Sequence, residues 1–181
     1  ELDVQNYQPA LVFINGEYWG VYNIREKINK DYIAENHGVD ADSIDLLQYN
    51  GYVMSGTIDD FNNFGTFVLS NDMSDSANYA VVKNWLDIEN FADYFAIETW
   101  SENGDWLSNN VRYWRERKAG AKWRHILWDL DFFGTGWWPF TANSLDTNMK
   151  KAYSYQSILF NALVQNTEFR EYFINRYADL I

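Results

Sequence analysis

The chain has 181 residues, which suits one domain with a substantial core, and 19% of them are aromatic, which excludes a disordered chain. Its 14 basic residues are outnumbered by 26 acidic ones and form no basic stripe, so the formal charge of −12 argues against nucleic acid and anionic membrane surfaces as partners. Cysteine is absent, which excludes disulfide bonds, a thiol nucleophile and a thiolate zinc site.

The first half of the chain predicts mainly β-structure. Apolar and aromatic residues on both sides of Asn15-Gly16 predict a β-hairpin over residues 11–24, because Asn-Gly suits the two positive-φ positions of a type I′ turn. Three further elements are expected in this half: a helix over 29–37 that stops at Gly38, a half-buried strand over 43–49, where apolar and polar residues alternate, and a short strand near 52–55.

The hydrophobic period changes to that of a helix from Asp59 onward, where apolar residues recur at three- and four-residue spacing. Helices are expected from Asp59 and over 77–86, 90–101, 154–164 and 168–181, and strands are expected over 111–116 and 122–128. The predicted fold class is therefore α+β, with helices dominating the second half. No stretch is long and apolar enough to span a bilayer, and no signal peptide opens the sequence.

Acidic and amide side chains follow a characteristic order near the middle of the chain. Asp105 lies in a loop after the helix over 90–101, Asn110 comes five residues later, and the second of the two strands ends at Asp129. Protein kinases arrange their chemistry in this order: one Asp accepts the hydroxyl proton or orients the acceptor, while an Asn and a second Asp hold Mg²⁺. Carboxylate and amide oxygens suit that cation. The order therefore predicts a metal site for phosphoryl transfer.

Several assignments within this site stay open. Asn109 is placed as well as Asn110, and Asp131 is a second candidate ligand beside Asp129. Asp105 has the alternative of a loop residue that caps its neighbours. Asp129 and Asp131 have the alternative of ion pairs with nearby arginines, namely Arg112, Arg115 and Arg124.

Two further features have ordinary explanations. His37 and His125 are too distant in sequence to suggest a metal pair, and we expect His125 to be structural. The aromatic segment over 132–140 is expected to be the counterpart of a kinase activation segment, packed on the helical half. Its alternative is a platform on which a sugar or a peptide stacks.

Six short stretches, spread over nearly the whole chain, form a specific set. They are 12–22 (VFINGEYWGVY), 25–28 (REKI), 105–110 (DWLSNN), 122–124 (KWR), 128–131 (WDLD) and 169–178 (FREYFINRYA). With these stretches the chain resembles the C-terminal portion of the CotH kinase family, also called spore coat protein H-like.

The resemblance implies an atypical protein-kinase-like fold, in which a short β-hairpin segment precedes a mostly helical lobe with a catalytic hairpin. It implies a bacterial, ATP-dependent kinase that uses Mg²⁺ or Mn²⁺ to phosphorylate Ser or Thr of a surface or coat protein. Asp105 would be the catalytic residue and Asp129 the metal ligand, while Asn110 as second ligand follows from the wider kinase pattern. We expect such a protein to be extracellular, on the cell surface or in the spore coat.

The kinase comparison also predicts where adenine binds. In kinases two antiparallel strands lead into a hinge that meets the adenine, which points here to Glu26, Lys27 and Ile28; ordinary strand-end charges are the alternative. A kinase needs a phosphate-covering loop and a lysine upstream of this hairpin, and no glycine-rich phosphate loop occurs. Residues 1–181 are therefore predicted to be a single partial domain that lacks its N-terminal nucleotide-lobe part.

Three other functions fit parts of the pattern. Exposed aromatic residues with Asp-held Ca²⁺ would make an exported carbohydrate-binding module. A catalytically silent pseudokinase would keep the scaffold for assembly. The carboxylates of Asp105 and Asp129 would also suit glycoside hydrolysis, the least favoured of these functions.

Overall fold

The computed structural model describes residues 2–107, 109–134 and 141–179, which contain seven strands and seven α-helices. The strands are β1 (Asp3–Val4), β2 (Tyr7–Ile14), β3 (Glu17–Arg25), β4 (Ile44–Gln48), β5 (Tyr52–Ser55), β6 (Arg112–Glu116) and β7 (Arg124–Leu127). The helices are α1 (Lys30–His37), α2 (Asp59–Ser70), α3 (Ser76–Trp85), α4 (Ile88–Trp100), α5 (Ser144–Met149), α6 (Tyr155–Leu163) and α7 (Thr167–Ala178). The predicted α+β class is confirmed.

The β2–β3 hairpin forms a two-stranded sheet of its own. Asn15 (φ 51°) and Gly16 (φ 85°) occupy the turn with the positive φ values that a type I′ turn requires. Most side chains on both strands are exposed, including Leu11 and Trp19. The hairpin therefore extends from the body of the protein instead of contributing to its core.

The remaining strands form a five-stranded sheet in the order β1-β7-β6-β4-β5. β1 runs parallel to β7, and the other neighbouring pairs are antiparallel. This sheet places the end of β7 beside the chain that enters β6. Asp105 lies in the chain that precedes β6, and Asp129 and Asp131 follow β7.

Strand β4 is buried on both faces, so the prediction that it is half-buried was wrong. Ile44 and Leu46 pack in a cluster with α1, while Leu47, on the opposite face, packs in the main helical core. Asp45 is 1% exposed and is compensated by the Thr57 backbone N–H and the Arg117 guanidinium. Alternating apolar and polar residues indicate a half-buried strand only when the polar side chains reach water. In β4 the polar side chain of Asp45 is bound by Thr57 and Arg117 instead of water.

The main core lies between the five-stranded sheet and the helices. Helix α4 is its centre, with Phe91, Tyr94 and Phe95 fully buried, and it packs against α7 and β7. The Asp87 side chain caps the N-terminus of α4 by accepting from the Asn90 backbone N–H. At its other end the backbone N–H of Ser101 donates to the backbone oxygen of Ile97, so α4 stops just before the loop with Asp105.

The sequence predictions missed β1 and α5, which are two and six residues long. The other predicted elements are present, with boundaries that differ by a few residues; β2, for example, begins at Tyr7. Most of the aromatic segment over 132–140 and the last two residues of the final predicted helix lie outside the described residues. None of the described helices is long and apolar enough to cross a membrane.

Candidate functional site

The loop that carries Asp105 is anchored in the core by the residue that follows it. Trp106 is 1% exposed, and its indole Nε1 donates a 2.8 Å hydrogen bond to the hydroxyl of Tyr94 on α4. The same hydroxyl donates to the backbone oxygen of Asn110 at 3.5 Å. Both ends of the short segment from Asp105 to Asn110 are therefore held by one buried tyrosine.

Asn110 connects the two predicted acidic residues. Its Nδ2 lies 3.0 Å from each carboxylate oxygen of Asp105 and 3.3 Å from the backbone oxygen of Asp129. Asn110 is buried and has a φ of 60°, a conformation that Asn tolerates better than most residues. Asp105, Asn110 and the backbone of Asp129 thus meet at one place, where the loop after α4 approaches the end of β7.

Asn109, the alternative to Asn110 as a site residue, does not direct its side chain to Asp105 in a hydrogen bond. It is exposed, and its backbone N–H donates to the backbone oxygen of Asp105 at 2.8 Å. The structure therefore brings the side chain of Asn110 to Asp105, and Asn109 contributes a turn hydrogen bond.

A second asparagine, which the sequence predictions missed, also contacts the backbone of Asp129. Asn103 is buried, and its Nδ2 donates to the backbone oxygen of Asp129 at 3.3 Å and to Oε2 of Glu98 at 2.9 Å. Asp129 has a φ of 59°, so two asparagine amides hold its carbonyl in an uncommon backbone conformation. Neither Asn103 nor Glu98, in the last turn of α4, belongs to a motif that would have identified it.

The site concentrates negative charge. The pKa of Asp129 is raised, first by burial and then by the charges of Asp131 and Asp105, while the charge of Arg25 opposes this shift. The pKa of Glu98 is raised to about 8, mainly by burial, although its hydrogen bond from Asn103 acts in the opposite direction. A bound cation would relieve the repulsion among the three aspartates.

Asp129 and Asp131 line a groove of about 420 Å³ between the loop after β7 and the base of the hairpin. Asn23 and Arg25 of β3 belong to the opposite wall. The remaining lining residues come from the N-terminal segment, the end of β7 and the loop: Val4, Gln5, Tyr7, Leu127, Trp128 and Leu130. The groove is therefore open to a ligand that contacts the carboxylates and the hairpin together.

The arginines that were possible structural partners of Asp129 and Asp131 have other principal contacts. Arg115 forms an ion pair with Asp60, and Arg124 forms ion pairs with Asp3 and Asp87. Arg112 donates to the backbone oxygen of Ile28 at 3.1 Å and stacks over the Trp128 ring. Burial lowers the pKa of Arg112, and the nearby Tyr49 and Asp129 oppose that shift.

The predicted adenine edge is partly engaged within the protein. The backbone N–H of Glu26 donates to Asn6 at 3.1 Å, and its carbonyl accepts from the Gln5 side chain at 2.6 Å. Ile28 is buried, and its carbonyl accepts the bond from Arg112 described above. Lys27, by contrast, is exposed.

The acidic side chains that line the groove are the candidate ligands for a metal ion. Within residues 2–107, 109–134 and 141–179, no three His, Cys, Asp or Glu side chains are grouped as a metal cage. Asp129 and Asp131 instead form a pair of neighbouring carboxyls, and the charge of Asp131 contributes to the raised pKa of Asp129. Mg²⁺ usually binds through one or two carboxylates and takes its other ligands from phosphates and water, so the pair fits a nucleotide-bound Mg²⁺. Asn110 as a metal ligand stays a prediction; its amide here donates to Asp105.

In the described residues, neither histidine ring hydrogen-bonds to Asp105, Asn110 or Asp129, and His37 lies against Asp3 and Trp114. His125 is fully buried and stacks on Tyr94 and Tyr113, as a structural residue would. Phe133, in the loop after Asp131, stacks on Trp100 at the end of α4 with ring centroids 6.0 Å apart, and both rings are about half exposed.

The fold and the site together define an α+β protein in which Asp105 and Asn110 meet the end of β7, with an acidic groove between the loop after β7 and the base of the hairpin. Comparison with protein families matches residues 1–181 to the family described as CotH kinase protein. The chain therefore belongs to the CotH kinase protein family, as the sequence resemblance predicted. A comparison with curated proteins gave no match.

Proposed function

We propose that the chain carries the catalytic site of an ATP- and divalent-metal-dependent protein kinase that phosphorylates Ser or Thr. The observation that supports this most is the contact of the Asn110 amide with both oxygens of Asp105 and with the backbone of Asp129. That contact joins the residues that the kinase pattern assigns to the acceptor hydroxyl and to the metal. Membership of the CotH kinase protein family supports the same activity.

In the proposed reaction Asp105 orients the acceptor hydroxyl and takes its proton. The hydroxyl oxygen forms a bond to the γ-phosphorus of ATP, and the bond from that phosphorus to the β–γ bridging oxygen breaks, which releases ADP. Asn110 keeps the Asp105 carboxylate in one orientation, because its amide contacts both oxygens. Rigid positioning of this kind lowers the cost of reaching the reactive geometry.

Asp129 and Asp131 would hold Mg²⁺ or Mn²⁺, which neutralises phosphate charge when bound. Asn103 and Asn110 fix the Asp129 backbone and so limit the movement of that carboxylate. We assign the adenine edge to Glu26, Lys27 and Ile28. Because the backbone N–H and C=O of Glu26 are both engaged, the backbone of Lys27 is the first candidate for an adenine contact.

The acceptor would be a protein at the cell surface, outside the cell or in a spore coat, as the resemblance implies. The exposed Trp100–Phe133 stack favours a second candidate function, a carbohydrate-binding surface with Ca²⁺. The two candidates differ in the ligand that raises the melting temperature: ATP with Mn²⁺ for the kinase, and an oligosaccharide with Ca²⁺ for the binding module.

The kinase proposal is tested with γ-³²P-ATP, Mn²⁺ and a Ser-rich protein, using Asp105→Asn, Asp129→Asn and the surface control Asp146→Asn. We expect Asp105→Asn to keep Mn²⁺-ATP binding but to lose about 100-fold or more in transfer, the range of general-base removal. Asp129→Asn should weaken Mn²⁺ binding by roughly tenfold or more. The control should behave as the unmodified chain does, since Asp146 forms only an exposed i,i+4 pair. Binding without transfer in the unmodified chain would indicate a silent pseudokinase.

A further inference from the structure

Arg25 differs from the other arginines of the chain. The other six each have a structural partner within the protein: Arg112 with Ile28, Arg115 with Asp60, Arg117 with Asp45, Arg124 with Asp3, Arg170 with Val164, and Arg176 with Asp93. In the described part of the chain, the Arg25 guanidinium makes no hydrogen bond or ion pair, although it is exposed beside a groove that holds two carboxylates. Its guanidinium is therefore available to a ligand.

The groove has the charge distribution of a site for a metal-bound anion. Arg25 is the one cationic residue on its described lining, and Asp129 and Asp131 are the acidic ones. Arg25 is close enough to stabilise the charge of Asp129 but does not pair with it, so space remains between the two walls. A divalent cation on the carboxylates would change the formal charge of these groups from −1 to +1, which attracts phosphate.

The charged residues that follow Arg25 in the sequence do not pair with it. The carboxylate of Glu26 accepts from the backbone N–H of Asn6 at 2.9 Å, and Lys27 adds another positive charge on the same segment. Asn23, two residues earlier and on the same side of β3, also lines the groove and can donate hydrogen bonds. The hairpin end therefore presents hydrogen-bond donors toward the acidic loop.

We propose that Arg25 binds the phosphate groups of the nucleotide from the hairpin wall, opposite the metal held by Asp129 and Asp131. This inference rests on the proposed kinase function and adds a residue to its nucleotide site. A guanidinium suits the role because its planar fork contacts two phosphate oxygens at once, which an ammonium group does not. The end of β3 thus supplies a phosphate contact that does not require a glycine-rich loop.

The test is calorimetric titration of the chain with Mn²⁺ alone and, at saturating Mn²⁺, with ATP, ADP and adenosine. The variants are Arg25→Ala, Arg25→Lys and Arg170→Ala; the last removes an exposed arginine on α7 and is the matched control. We expect Arg25→Ala to weaken ATP and ADP by roughly 10- to 100-fold, with Arg25→Lys intermediate. Mn²⁺ alone and adenosine should bind all variants equally, and the control should match the unmodified chain.

The results separate the two proposals. If the unmodified chain binds Mn²⁺-ATP and Arg25→Ala binds it equally well, the role of Arg25 is wrong and the kinase proposal stands. An equal loss for ATP and adenosine in Arg25→Ala would also overturn the phosphate contact, because adenosine has no phosphate. If the unmodified chain binds Mn²⁺ but no nucleotide, both proposals are overturned. Thermal unfolding of each variant, compared with the unmodified chain, shows whether the hairpin end has kept its fold.

Discussion

The amide nitrogen of Asn110 lies 3.0 Å from both carboxylate oxygens of Asp105, and this contact joins two positions that are five residues apart. A carboxylate that receives one donor between its two oxygens is held in orientation as well as in position. Since the same nitrogen also lies 3.3 Å from the Asp129 backbone, the orientation of Asp105 is coupled to the loop after β7.

Removal of the Asn110 side chain should loosen this coupling. Asn110→Gly is the suitable change, because Asn110 has a φ of 60° and glycine adopts that conformation without strain. We expect the free energy of unfolding to fall by about 1–3 kcal/mol, since partly buried acceptors on Asp105 and Asp129 lose their donor. Phosphoryl transfer should fall by roughly tenfold or more, because Asp105 loses its orientation. Urea unfolding and label incorporation measure the two effects.

Asn109→Gly is the matched control for that change. Asn109 is exposed and contributes through its backbone N–H, which the substitution keeps. Its cost should stay near 0.5 kcal/mol, as at other surface positions. Equal losses at both positions would contradict the assignment of the coupling to Asn110.

Glu98 should make stability depend on pH. Its pKa is raised to about 8 from an ordinary value of 4.5, mainly by burial. Between these values the unfolded chain has lost the proton that the folded chain keeps, so stability decreases as pH rises through this range and is lowest above it. The slope approaches about 1.4 kcal/mol per pH unit. Glu98→Gln, which keeps the shape and an acceptor for Asn103, should remove this slope.

Urea unfolding of the chain and of Glu98→Gln at several pH values between 5 and 8 checks this expectation. The two stability curves should lie closest together at the acidic end and separate as pH rises. Parallel curves would show that the carboxyl of Glu98 reaches water or a compensating charge.

The parts of the fold that were predicted correctly depend on local signals. Asn15-Gly16 requires positive φ at two adjacent residues, and Asn29 and Gly38 cap the two ends of α1, so the sequence near each feature was sufficient. The two-residue strand β1 was missed because it is defined by its pairing with β7, more than 120 residues away. A strand of that length has no periodicity to recognise.

The same distinction applies to the site. The five-residue spacing of Asp105 and Asn110 was visible in the sequence, and the structure brings their side chains together. Asn103 was missed because its significance lies in a contact with the Asp129 backbone, from a different part of the chain, and Glu98 was missed because it acts through Asn103. Arg25 could not be singled out from the sequence, because its distinguishing property is a guanidinium without a partner in the described residues.

His125 should lower the stability of the folded protein at acidic pH. It is fully buried among aromatic rings, and neither ring nitrogen has a hydrogen-bond partner in the described residues. Burial lowers its pKa to about 3 from an ordinary value of 6.5. Between these values the unfolded chain binds a proton that the folded chain does not, so stability is lost as pH falls from 6.5 toward 3. His125→Phe should be stable at neutral pH and lose less stability on acidification, which thermal unfolding at pH 7 and pH 5 measures. An equal loss in both proteins would contradict the prediction.

Gly56 should be intolerant of any side chain, and Gly120 provides the matched comparison. Both have positive φ, 72° and 80°, so alanine costs a similar backbone strain of about 1 kcal/mol at each. At Gly120 a Cβ would meet nothing within 4 Å, whereas at Gly56 it would lie 2.1 Å from Oδ1 of Asp45 and 2.6 Å from the backbone oxygen of Ile44.

Asp45 cannot move away easily, because it is buried and accepts hydrogen bonds from Thr57 and Arg117. Gly56→Ala should therefore destabilise the chain by about 2–4 kcal/mol more than Gly120→Ala in urea unfolding. If both substitutions lower the free energy of unfolding equally, the β4–β5 edge adapts to the extra carbon. Asp45 would then be able to move from its buried position, contrary to this prediction.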